Sequence, residues 1–138
     1  MTNRFPAGAA VLAALIAAMP GTADAFKGKR GTTINPVDSA IFEVLARTAG
    51  SGPDYWCGAA DYARRALGAD WTATIYIARG RGPSVTTNRR SAVHYTLDPA
   101  AAGITPIEPA ISLNALKVGD NMSVQQANGY CVMPSTRF

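Results

Sequence analysis

Two cysteines, one histidine and a cluster of arginines are the residues of this 138-residue chain whose types and spacing could do chemistry. Cys57 and Cys131 are too few for a four-ligand zinc–thiolate centre, and a single histidine excludes every metal site that needs two, so no metal and no cofactor is implied. What the pair can do is cross-link. In an exported chain two cysteines are read first as a disulfide. A bridge closing about 74 residues contributes roughly 4 to 4.5 kcal/mol by loop-closure entropy, a large share of the roughly 5 to 15 kcal/mol that stabilises a typical domain.

A second reading leaves Cys57 free. It falls one turn inside an expected helix start, where N–H groups and the helix dipole favour a thiolate, and a strand carrying His94 follows 37 residues later. A cysteine opening a helix followed by a histidine on a strand resembles the core of papain-like and transglutaminase-like enzymes. The resemblance spans about forty residues and rests on element order. It implies a small cysteine-dependent hydrolase or acyl transferase with Cys57 as nucleophile, His94 as base and Asp98 as orienting acid. The disulfide reading claims the same sulfur, and under it no residue is assigned a catalytic role.

The segment 79–90 places Arg79, Arg81, Arg89 and Arg90 in one expected loop. Gly80 and Gly82 allow close backbone approach, and Ser84, Thr86 and Thr87 add hydroxyl donors, so the four arginines form a candidate site for a phosphate, sulfate or acidic sugar. The Gly-x-x-x-x-Gly-Lys spacing of a nucleotide loop is missing. No aromatics interleave the cations for base stacking, so nucleic acid is not an expected partner. Tyr55, Trp56, Tyr62, Trp71, Tyr76 and Tyr95 are read mainly as core, with a sugar- or peptide-binding groove as the alternative.

These residues need elements to position them. Asn35 and Pro36 read as the start of a helix with Val37, Ile41, Phe42 and Leu45 on one face up to Thr48. Ser51-Gly52-Pro53-Asp54 repeats that grammar and opens a second helix running to about Leu67, closed by Gly68, with Trp56, Ala59, Ala60, Ala63 and Leu67 on a small-residue face that another element can approach closely. Thr72–Ala78 and Ser91–Leu97 read as paired strands. Asp98–Pro109 reads as a short capped turn and an extended connection. Within 111–133, Asn128-Gly129 favours a hairpin, with a short helix over 123–128 as the alternative. The expected fold is α+β: two N-terminal helices packed on a small, mainly antiparallel sheet, with one disulfide.

Residues 1–25 read as a signal peptide. Arg4 supplies the positive start, Ala7–Ala18 the apolar stretch, and Ala23-Asp24-Ala25 the cleavage site. Residues 26–34 then form a flexible basic lead-in and 35–138 a single domain, with no membrane span in the mature chain. The alanine-rich leader points to a bacterial envelope. Only 16% of residues are charged, against about 25% in typical proteins, which argues against a disordered chain, and the net charge of +4 is compatible with anionic partners. The composite expectation is a periplasmic or secreted, non-enzymatic domain that binds an anionic ligand or an envelope protein. The alternatives are the cysteine enzyme and a structural subunit of an envelope assembly.

Overall fold

In a computed structural model that describes residues 24–47 and 50–132, the chain runs through β1 (Phe26–Lys27), a 3-10 turn (Lys29–Gly31), β2 (Thr33–Pro36), β3 (Ile41–Leu45), α1 (Gly52–Arg65), β4 (Thr74–Gly82), β5 (Ala92–Thr96), α2 (Pro99–Ala102), β6 (Asn121–Ser123) and α3 (Val124–Gly129). The six strands form one antiparallel sheet in the order β1-β2-β3-β5-β4-β6. With helices packed on it, this is an α+β arrangement. The expected leader lies outside the described residues but for its last two.

The helix expected over 35–48 does not form. Asn35 and Pro36 end β2, and the chain turns back because Asp38 Oδ1 accepts hydrogen bonds from Ala40 N at 2.7 Å and Ile41 N at 2.8 Å. Ile41–Leu45 then pairs with β2 on one side and with β5 on the other. Phe42 and Val44 face the core under α1, whereas Glu43 and Leu45, pointing the other way, are also buried. A strand covered on both faces loses its polar alternation, and its apolar run then mimics helical spacing. Only one long N-terminal helix is therefore present among the described residues. The segment 26–34, expected to be a flexible lead-in, carries β1, the 3-10 turn and the first half of β2, with Ile34 wholly buried.

α1 forms where its sequence grammar places it. Asp54 Oδ2 accepts from Ser51 N at 2.9 Å and from the Ser51 hydroxyl at 3.0 Å, and Pro53 lies in the first turn. Gly68, with φ of 67°, lies three residues past the helix end. Trp56, Ala59, Ala60 and Ala63 pack on Val44, Ile75, Ile77, Val93 and Tyr95, with the Trp56 and Tyr95 rings edge-on at 5.1 Å. Gly58 faces the sheet so closely that a Cβ there would lie 2.9 Å from both Thr32 Oγ1 and Val44 Cγ1. Leu67, expected on the buried face, is half exposed beyond the helix end.

β4 and β5 form as expected, although β4 continues to Gly82 through two register shifts. α2 is the capped turn, with Asp98 Oδ1 accepting from Ala101 N. In the last segment the helical alternative holds. Ser123 caps α3, its Oγ accepting from Gln126 N at 3.0 Å, and Asn128-Gly129 falls at the helix end instead of at a hairpin. Cys57, wholly buried in α1, is bonded to Cys131 in the turn after α3, with Cα atoms 4.9 Å apart. The bridge fastens two helices that already pack together.

Candidate functional site: an arginine pocket clamped by a buried glutamate

Glu43 organises the loop that carries the arginines. On the sheet face away from α1 its carboxylate is fully buried, yet it accepts from the Ser84 hydroxyl (2.5 Å), Val85 N (2.8 Å), the Thr86 hydroxyl (2.6 Å) and Thr86 N (3.3 Å). His94, its cross-strand neighbour on β5, places Nε2 at 2.8 Å from Oε2. An ionised carboxylate only accepts, so Nε2 carries the proton. Burial by itself raises the pKa of Glu43, but the bonds from Ser84, Thr86, Val85 and His94 outweigh it and hold the group down to about 2. Ser84 Oγ also accepts from Thr87 N at 2.9 Å, and Asn35 Nδ2 donates to Thr86 Oγ1 at 3.0 Å. Residues 84–87 are thus fastened to β2 and β3 through side-chain hydrogen bonds.

This clamp sets the course of the chain through Asn88–Ser91, opposite the end of β3. Between them lies a pocket of about 340 Å³ lined by Ala46, Arg47, Gly50, Tyr55, Arg81, Asn88, Arg89, Arg90 and Ser91. Arg81 donates to Gly50 O at 3.0 Å and lies 5.1 Å over the Tyr55 ring. Arg89 donates to Ala46 O. Tyr55 hydroxyl and Ser91 Oγ are 3.3 Å apart. Among the described residues no carboxylate lies within ion-pair distance of Arg47, Arg81, Arg89 or Arg90, since the ion pairs are Arg30–Asp54, Arg65–Asp61 and His94–Glu43. Arg47, Arg81, Arg89 and Arg90 thus border one hollow whose lining holds no carboxylate, and a guanidinium's planar fork matches carboxylate, phosphate and sulfate oxygens.

Three of the four arginines picked out in the sequence meet there. Arg79 does not, because its side chain lies back along β4 and β5, donating to Gly80 O and Ala92 O. Arg47 takes its place, having been hidden in the helix expected over 35–48. The signal that would have found it is register. Leu45 pairs with Ala92, and the same antiparallel register carried two residues further sets Arg47 against Arg90.

The alternative catalytic set is not brought together. Cys57 is bonded and no free thiol is present among the described residues, so thiolate chemistry lacks its nucleophile. His94 is engaged by Glu43, and Asp98 caps α2. A second hollow of about 280 Å³, bordered by Phe42, Tyr62, Leu67 and Leu97, is mainly apolar, and its rim carboxylates Asp38 and Asp98 are taken up by backbone N–H groups. No group of three or more metal-ligating side chains occurs among the described residues, and none of their helices is long and apolar enough to cross a membrane. Comparisons with protein-family models, curated proteins and solved structures found no match.

Proposed function

We propose that this chain is a small exported, disulfide-stabilised domain that binds an anionic ligand, without catalysis, in the pocket of Arg47, Arg81, Arg89 and Arg90. The observation that carries the reading is four arginines bordering one hollow with no carboxylate in its lining. Arg81 and Arg89 are held through their bonds to Gly50 O and Ala46 O, so part of the ordering cost is met before a ligand arrives. The pocket exceeds a single oxyanion in size, and several uncompensated cations favour a ligand with more than one negative charge. Export rests on the leader-like residues 1–25 and is in keeping with the disulfide.

The test compares retention on a heparin column of the wild type, the pocket variant R47Q/R81Q/R90Q and a control, K27Q/R79Q/K117Q, that loses the same charge elsewhere. The pocket variant should elute at clearly lower salt than the control. Equal elution of the two would reduce the pocket to a share of the net charge and remove the proposal.

A further inference from the structure

Trp71 lies 42% exposed on the turn between α1 and β4 and does not line the arginine pocket. Its ring is backed by the guanidinium of Arg64, whose Cζ is 4.2 Å from the ring centroid, and Arg64 is itself fixed by a 2.7 Å bond to Ala69 O. The backbone beside the ring is pinned to α3, because Trp71 O accepts from Gln125 N at 3.0 Å and Ala73 O from Val124 N at 2.8 Å. Gln125 and Asn128, one turn apart on α3, line with Trp71 a hollow of about 300 Å³. Among the described residues neither side-chain amide has a protein hydrogen-bond partner, and neither does the Trp71 indole N–H.

We infer that Trp71, Gln125 and Asn128 form a binding site for a neutral oligosaccharide. The chemistry of the three groups selects this class. An aromatic face, rigid and half in water, packs on the apolar C–H face of a sugar ring. Two amides, each both donor and acceptor, match the paired hydroxyls at the ring edge. No charged side chain lines the hollow: Arg64 is occupied against the ring and Ala69 O, and Asp70, next to Trp71 in the chain, is not part of the lining. An anion has nothing to meet here, in contrast to the arginine pocket. A peptide is a poorer match, since the lining offers one aromatic ring and two amides and no apolar groove.

The site is tested by calorimetric titration of the full chain with chitotriose, maltotriose and cellotriose, with tryptophan emission as a second readout. At least one trisaccharide should bind and shift the emission of the exposed indole, whereas Trp56, wholly buried, stays silent. W71A should weaken that binding roughly tenfold or more, and Q125A/N128A by a similar factor while keeping the indole in place. R47Q/R81Q/R90Q should leave it unchanged. Absence of binding by all three sugars, or binding that survives both W71A and Q125A/N128A, overturns the assignment.

Discussion

Glu43 and His94 face one another across β3 and β5, with Oε2 and Nε2 2.8 Å apart, and the same carboxylate closes the arginine loop over the sheet through Ser84, Val85 and Thr86. The loop that forms one wall of the arginine pocket is therefore anchored by a buried negative charge, while the charges at its mouth are positive. Mouth and anchor belong to one short segment, so changes at Glu43 should be felt in the pocket.

Glu43 makes stability depend on acid. Its folded pKa, about 2, lies below the ordinary 4.5, so the stabilisation it contributes is fully present above 4.5 and is lost as the pH falls towards 2. The difference corresponds to about 3 kcal/mol. Urea unfolding should show stability falling over this window. E43Q should remove the Glu43 share of that dependence, leaving the part due to Asp54 and Asp61, whose carboxyls are also held low by their hydrogen bonds, and should lower stability at neutral pH by about 2 kcal/mol, because an amide aims N–H groups at donors already converging there. An unchanged acid profile in E43Q would show that the clamp carries no such weight.

The disulfide should dominate the denaturant response. Reduction, or C57A/C131A, is expected to lower the unfolding free energy by about 4 kcal/mol, the loop-closure value for the span it encloses. Urea midpoints with and without reductant measure it. A change below about 1 kcal/mol would mean that the packing of α1 on α3 already supplies the constraint.

Gly58 tests how closely α1 sits on the sheet. Alanine there is the better helix former by about 1 kcal/mol, yet its Cβ would lie 2.9 Å from Thr32 Oγ1 and Val44 Cγ1. Steric cost should win, leaving G58A less stable by about 1 to 2 kcal/mol. A stabilised G58A would place the helix further from the sheet.

Anions should stabilise the folded chain. Raising pyrophosphate at constant ionic strength should increase Tm for the wild type and not for R81Q/R89Q, since a ligand at about 100 times its Kd adds roughly 2.7 kcal/mol. Equal shifts in both would assign the effect to general salt.

The sequence made α1, β4, β5, the Asp98-capped turn and the Cys57–Cys131 pair legible, because caps, β-branched runs and cysteine spacing are local signals. β3 was not legible. Burial on both faces erased its alternation, and the polar residue that remained, Glu43, takes its meaning from partners 41 and 43 residues away in the loop. With β3 hidden, Arg47 was hidden too, and Arg79 was grouped with its sequence neighbours although it lies back along the strands. In the sequence α3 is masked by Asn128-Gly129, a strong turn signal, which the Ser123 cap overrides.

The bridge between Cys57 and Cys131 encloses most of α1, β4, β5, α2, β6 and α3, but leaves β1, β2 and β3 outside the covalent loop. β3 is nevertheless inserted against β5, so strands held without a covalent tie complete a core that is otherwise linked. Under tension applied at its two ends, the chain should yield in two unequal parts. The N-terminal strands peel away first and extension then stops at the bridge. Only a reductant would release the remaining 74-residue span, about 250 Å of contour when fully drawn out.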